Sequence, residues 1–481
     1  MSERVSRRRL LLGMGMAAVA PLLAACGQAP APAPTAAPAA KTEAPQPAAK
    51  PTEASAAQPA TKPAPSTGQV TLRFMRFAGA AWVHDVKFVD EFMQENPNIV
   101  VNGEDIVYDE MFKKCLALGA TGTLADVFAG HNIWKPYLAF KGLCMDLDPM
   151  IKAHSADVKF DDFFPSVIAD ARGIGTEGKL YWLPTCVHPG GNAIIMFNKN
   201  LMNEAGVAMP ASKEWTIADY EKIIRSAAKP KQGIFGTDIV VGRHPLYTQQ
   251  YTRTWGKDPE KGSEDAWLLS RDGKKHQLAS PPVKEGIEWY WKLIKDGFVP
   301  TRADALGAGL DHFTAGKMIS KAGTVGAPAN LRPRIADKFE LYAVLWPKGP
   351  NGHRGSCLSY NTQSAWSKTK YPEEAFKLVN KLTGPEIAFF MGYDGLLHCG
   401  ARHSAWFNPK LWERFPVMKD AAAWFESGID PFPQPWNLRF VEWQEAWNQE
   451  TAEYFDGKED WNQMFAHTQK RCQEIIDQPR P

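Results

Sequence analysis

Few spacings in this 481-residue chain match those of a known reaction chemistry. Gly173-Ile174-Gly175-Thr176-Glu177-Gly178 fits GxGxxG, whose glycines let backbone approach a pyrophosphate at a helix N-terminus. That use needs a buried strand before the run and a helix after it. Here the run follows Asp170-Ala171-Arg172 and leads into a strand-like segment, Lys179 to Leu183, so it reads as a turn. Gly316-Lys317 lacks the spacing and the Ser/Thr of a P-loop, and neither GxSxG nor HExxH occurs. His398-Cys399 with His403 brings ligand-type residues together without the paired spacing of a zinc site. Asp161-Asp162 and Asp146/Asp148 offer carboxylate pairs of the kind a glycosidase uses. Spacing along a chain does not set their separation across a cleft, and they read as loop-solvating groups. Aromatic side chains are plentiful instead, with 17 Trp, 12 Tyr and 25 Phe. A surplus beyond core needs suits a flat, partly apolar ligand held by ring faces. The chemistry expected is binding without catalysis, metal or cofactor.

The N-terminus reads as an address and a tether. Ser6-Arg7-Arg8-Arg9-Leu10-Leu11-Leu12 opens a basic segment, an apolar run follows from Leu10 to Leu23, and Leu23-Ala24-Ala25-Cys26 forms a lipoprotein processing site. The run is too short and too rich in Gly and Ala for a good spanning helix, so residues 1–26 read as a signal peptide ending at a lipidated Cys26. Its arginines resemble a twin-arginine signal, with general secretory export also open. Residues 27–67 are nearly all Ala, Pro, Thr, Gln, Lys and Glu. Such a segment buries too little apolar surface to offset its ordering entropy and spans up to roughly 100 Å as an extended spacer. The expected location is extracytoplasmic or periplasmic, anchored at the outer face of the cell membrane.

What remains is long for one domain and sufficient for two lobes. A formal net charge of +2 gives no basic surface for nucleic acid. Beyond Cys26 six cysteines allow 15 pairings, among which the sequence does not choose, and buried free thiols are an equal alternative.

Strand and helix patterns alternate through the first part of the body. Val70 to Met75, Asn98 to Val101 and Ala125 to Phe128 read as strands, while His84 to Gln94, Tyr108 to Leu118 and Trp134 to Phe140 read as helices. In the first helix Val86, Val89 and Met93 define the expected stripe, with Phe88 and Phe92 beside it. The alternation argues for an α/β lobe with a largely parallel sheet, whose ligands sit in loops leaving the carboxyl ends of strands. This nominates Phe77 to Trp82 and Gly130 to Trp134. Lys179 to Pro184 and Ala193 to Phe197 read as later strands, and Thr216 caps a helix. Phe440, Trp443, Trp447 and Tyr454 form a stripe read as core.

Several blocks carry a family resemblance. FVDEFMQENPNIVV, TGTLADVFAGHNIWKPYLAFKGLCMDLDPMI, GKLYWLPTCVHPGGNAIIMFNKNLMNEAGV, FTAGKMISKAG, VLWPKGPNGHRGS and KYPEEAFKLVNKLTGPE resemble, in order, segments of bacterial extracellular solute-binding proteins of the maltose-binding type, which deliver carbohydrates to ABC importers. The resemblance implies a periplasmic-binding-protein-like type II fold, α/β, with two lobes, a hinge and a ligand cleft between them. The first lobe would take residues 68–185 plus 342–394 and the second 186–341 plus 395–481, with crossovers near Pro184, Tyr342 and Tyr393. It further implies a monomer that captures a mono- or oligosaccharide by closure and hands it to membrane permeases. Sugar offers C–H faces and hydroxyl rims, so the candidate contacts are the aromatics Phe77, Trp82, Trp134, Trp255, Tyr360 and Tyr393. The polar candidates are His131, Asn132, Asn192, Asn361, Asp394 and Arg402. One departure stands out: many relatives place an aromatic two residues after the position of Gly323, and this chain has Val325. The competing readings are a surface-anchored polysaccharide hydrolase, a sensor subunit, and a binder of polyols, sugar phosphates, peptides or polyamines.

Overall fold

The computed structural model describes residues 68–480 apart from 80–81, 174, 190–192, 212–213, 239–244, 259–262, 302–303, 305–310, 395–398, 428–430 and 433–435. The chain divides into Met1–Ala64 and Pro65–Pro481. The Cys26 and tether readings, Asn192 and His398 therefore lie outside the described residues.

Two sheets organise the body. The first contains β1 (Val70–Phe77), β2 (Ile99–Ile106), β3 (Val127–His131), β4 (Leu183–Pro189), β9 (Ser356–Ala365) and β10 (Pro431–Phe432). Its order is β10-β9-β3-β1-β2, with β4 on β9. The second contains β5 (Ile194–Asn198), β6 (Phe235–Asp238), β7 (Met318–Gly323) and β8 (Leu341–Leu345), in the order β6-β7-β5-β8. β1 is parallel to β2 and β3, as the sequence pattern predicts. β9 runs antiparallel to both β3 and β4, and β5 is antiparallel to β7 and β8. β6 is parallel to β7 and β10 to β9, and every antiparallel pairing involves β5 or β9, the strands by which the chain enters a sheet. The fourth strand begins at Leu183, later than the Lys179 the pattern suggests, although Leu180 and Trp182 before it are buried.

Three segments carry the chain between the sheets, and β10 returns it once more to the first. β4 leads from the first sheet into β5, and β8 leads back into β9. Residues 399–402 then lead toward the helix Val417–Ser427, which packs on β8. The second passage follows β8, so Tyr342, expected to open the return to the first lobe, pairs instead with Phe197 in the second sheet. LYAVL is apolar enough for either sheet, and periodicity carries no information about partners. Phe440, Trp443, Trp447 and Tyr454 are all buried, as their stripe predicts. They share one apolar cluster with Phe77 and Trp134 of the first sheet's loops and with Val283 and Ile287.

The first helix, Val83–Glu95, buries Asp85, Phe88, Val89 and Phe92, and it turns Val86 outward at 41% exposure. The stripe is thus set by the phenylalanines, each worth about 1.5–3 kcal/mol when buried. Asp85 stands three and four positions before Phe88 and Val89, so the same face carries a carboxyl inward. Five cysteines, Cys115, Cys144, Cys186, Cys399 and Cys472, are buried free thiols.

Lys135 is fully buried beneath the first sheet, where Nζ donates to Ser364 Oγ at 2.8 Å and lies 3.9 Å from the Phe128 ring centre. A Cβ on Gly130 would stand 2.2 Å from Lys135 Cε, so glycine makes room for this side chain. Burial pulls the lysine down from 10.5 to about 8. Between those values the unfolded chain binds more protons than the folded one, so stability rises with pH. Lys135→Met is expected to raise unfolding stability at pH 7 by on the order of 1–3 kcal/mol and to flatten the slope between pH 8 and 10. Urea titrations across that range check it; a less stable variant would contradict the account.

Candidate functional site

The carboxyl ends of β1, β2 and β3 each deliver aromatic side chains to one place. Phe77 ends β1 and lies 4.7 Å from Trp82, in the loop that follows, and 5.0 Å from Tyr108, two residues past the end of β2. Tyr108 lies 4.8 Å from Trp134, which follows β3, and Trp134 lies 5.9 Å from His131 at the end of that strand. Trp82 also approaches His84, at 5.6 Å. Phe77 and Trp134 are buried, whereas Trp82 and Tyr108 keep part of their surface open. The first pair backs the second.

Beside this aromatic wall, the crossover strands supply polar groups. In β9, Asn361 pairs with His131 and Tyr360 with Val187 of β4. Ser359, Tyr360 and Asn361 all turn up next to β3 residues. His131 Nε2 lies 3.0 Å from Ser359 Oγ, and Nδ1 accepts from the Ile133 amide at 3.4 Å. Asn132 donates from its backbone to Tyr360 O at 3.1 Å and from Nδ2 to Asp170 at 3.3 Å. Asn361 Nδ2 donates to Cys186 Sγ at 3.2 Å. Next to β4 on its other side runs 399–401, where Val187 donates to Cys399 O and Ala401 to Thr185 O.

Several buried polar atoms here have no hydrogen-bond partner among the described residues: Asp85 Oδ2, Asn361 Oδ1, the Tyr360 hydroxyl and the Trp182 indole nitrogen. The Tyr360 hydroxyl has Asp170 and Trp182 beside it without hydrogen-bonding geometry to either. Asp85 is 2% exposed, and its Oδ1 lies 3.5 Å from His84 Nε2. Burial pushes its carboxyl from 3.8 up to about 7; Arg76 pulls it down and Asp105 adds to the rise. The half-buried Asp170 is likewise raised, to about 6, by desolvation, which outweighs the opposing pull of the nearby Tyr360 hydroxyl and of the Asn132 amide bonded to it. Orphaned acceptors and a carboxyl held near neutrality, set against an open tryptophan and tyrosine, suit a guest with apolar faces and hydroxyl edges.

Of the residues nominated from the sequence, Phe77, Trp82, His131, Asn132, Trp134, Tyr360 and Asn361 come together here. Four do not. Trp255 is core, 5.7 Å from Trp289 and packed on Gly286. The Tyr393 ring lies between Phe389 at 5.2 Å and Arg414 at 4.5 Å, and Asp394 is paired with Arg414 at 2.8 Å. Arg402 is wholly buried, donates to the carbonyls of Thr383, Val158 and Lys159, and lies 3.6 Å over Phe163. Each is an aromatic or charged loop residue in the sequence, and each meets a tertiary partner that no local pattern records. Two contributors escaped the sequence reading. Tyr108 had the signal of a strand end, and Asp85 had that of a carboxylate in phase with an apolar stripe.

The motifs set aside behave as structural parts. The glycine run is a turn, with Gly175 and Gly178 at φ of 83° and 79°, clamped by Arg172, which bonds both Asp148 and Gly178 O. Asp162 caps Ser404 through its amide and hydroxyl, and His403 bonds Glu426 at 3.0 Å.

Two sheets joined by three passages, with a site built from strand ends beside the crossover strands, define a solute-binding architecture. The profile described as bacterial extracellular solute-binding protein matches residues 84–388, and the chain belongs to that family. A binding protein of Brucella abortus is 23% identical over 332 residues, spanning 66% of this chain and 72% of that one. Among solved structures, an ABC substrate-binding protein of Listeria monocytogenes in complex with cycloalternan superposes with a TM-score of 0.70 at 18% identity, over 85% of this chain and 99% of its own. The GacH receptor of Streptomyces glaucescens, solved unliganded and with acarbose, gives 0.68 at 18% identity, over 85% and 98%. The fold is that of the type II periplasmic solute-binding proteins.

Because Arg402 fills three backbone acceptors in the interior, Arg402→Ala is expected to destabilise by about 3 kcal/mol or more while leaving solute affinity of the folded fraction unchanged. Chemical denaturation and calorimetric titration read the two separately; lost affinity at full stability would return Arg402 to the site.

Proposed function

We propose that this protein captures a neutral sugar outside the cytoplasm and presents it to the permeases of an ABC importer, held to the membrane by acyl chains on Cys26. The observation that carries the sugar reading is the pairing of half-open Trp82 and Tyr108 with the orphaned oxygens of Asp85 and Asn361. Rings take the C–H faces, and the oxygens accept from hydroxyls. The structural neighbours in Listeria and Streptomyces were solved with cycloalternan and acarbose, which supports this ligand class. A phosphate guest would call for converging Arg and Lys, and Arg76, the cation beside Asp85, is bound to Asp105.

A guest seated on the first sheet's strand ends that gains further contacts when the second sheet approaches shifts the protein toward a closed form by its differential affinity. Nothing in this cycle needs bond cleavage. The raised carboxyls of Asp85 and Asp170 are the one feature that favours a hydrolase instead. In the binding reading Asp85 accepts from the guest, and Asp170 fixes Asn132.

Thermal-shift screening of mono- and oligosaccharides, polyols and peptides identifies the guest, since a native-state binder raises Tm. Trp82→Ala is expected to weaken the best hit tenfold or more by calorimetry, about 1.4 kcal/mol, and chromatography of the mixture should recover the sugar intact. Unaltered affinity would dismiss the aromatic wall, and released product would favour the hydrolase. The pH dependence follows from Asp85. Guest hydroxyls favour its ionised form, so binding at pH 6 should expel a proton. Affinity should then rise by up to about tenfold per pH unit toward 7 and level off above it. Titrations in buffers of different ionisation enthalpy measure the proton, and Asp85→Asn should abolish the dependence.

A further inference from the structure

Away from the strand-end site, the helices Pro281–Lys295, Ala452–Phe455 and Trp461–Ile476 enclose a notch of about 230 Å3 that shares no residue with it. Trp291, Trp461 and Tyr454 line it together with Lys284, Glu288, Asp460 and Asn462, and the Trp291 ring is stacked on Tyr454 at 5.7 Å. The volume is well above the roughly 30 Å3 share of one water and below that of a drug-sized pocket, so it matches a single small ring.

The chemistry of the lining narrows the guest. Tyr454 is completely buried, and its hydroxyl has no hydrogen-bond partner among the described residues. Its neighbours in charge are Glu288 and Asp460, both of the notch. A buried hydroxyl without a partner is costly, and a guest offering both donors and acceptors would relieve it. The cationic place is already taken: Lys284 Nζ lies 5.5 Å over the Trp461 ring and 3.9 Å from Glu288. An organic cation would therefore meet a resident ammonium. A neutral molecule carrying several hydroxyls meets acceptors at Glu288 and Asp460, donors at Lys284 and Tyr454, and aromatic walls at Trp291 and Trp461.

We infer that this notch is a second binding site, taking one ring of a neutral, hydroxyl-rich sugar independently of the strand-end site. The choice of sugar as guest class rests on the functional reading above; the existence of the site rests on the notch itself.

The test uses full-length protein labelled with 5-fluorotryptophan, with the Trp291 and Trp461 signals assigned by Trp→Phe variants. Methyl α-D-glucopyranoside, methyl α-D-galactopyranoside, myo-inositol and tetramethylammonium are titrated in turn. Saturable shifts of both signals are expected with at least one of the neutral ring compounds. They should persist in Trp82→Ala and weaken tenfold or more in both Tyr454→Phe and Glu288→Gln. The two variants guard against a fold defect in either, and an unchanged Tm certifies each. No saturable shift with any probe, or shifts unaltered in both variants, overturns the site. A response to tetramethylammonium alone overturns the sugar class. Failure of the strand-end reading looks different: Trp82→Ala would leave oligosaccharide affinity intact while the notch signals behaved as stated.

Discussion

The hydrogen-bonded ladder of crossover segments at the margin of the first sheet is the constraint on which the rest depends. β4 lies between β9 and residues 399–401, so strands belonging to separate passages of the chain are held side by side. Backbone bonds fix the register, and with it the position of Tyr360 and Asn361 against His131 and Asn132. A ladder of this kind holds the crossover segments in register with one another, and bending beyond its ends remains the cheap motion. The site sits where that motion is felt, because its aromatics come from strand ends of the first sheet and its polar atoms from the ladder.

The electrostatics of the site follow from placing unsatisfied groups under cover. Asp85 would be an ordinary surface carboxylate half a turn further round its helix. Its phase with Phe88 and Val89 takes it inside, where desolvation outweighs the help of Arg76. An unpartnered buried oxygen costs about 1–3 kcal/mol, and a guest hydroxyl that supplies the missing bond recovers that cost only when bound. Destabilisation of the free protein and affinity for the guest are thus two faces of one feature. Apolar backing from Phe77 and Trp134 keeps the arrangement rigid, so little side-chain freedom is lost on binding.

Much of this was legible in the sequence, and the gaps have physical causes. Alternation of strand and helix located β1 to β3 and their loops, and the rule that ligands sit at strand ends picked out Phe77, Trp82, His131 and Trp134. The order of family-like blocks pointed to Tyr360 and Asn361. What local pattern omits is the partner. LYAVL carries no mark of the sheet it joins; Arg402 looks like a loop cation until three interior carbonyls surround it; Tyr393 and Asp394 look unpartnered until Arg414 meets both. Asp85 and Tyr108 were readable in principle, one from helical phase and the other from its place after β2.

Small-angle X-ray scattering of the full chain, free and saturated with its tightest oligosaccharide, tests the central claim most directly. The account predicts a smaller radius of gyration and a changed curve in the saturated sample, as the two sheets approach around the guest. Superimposable curves at proven saturation would contradict it.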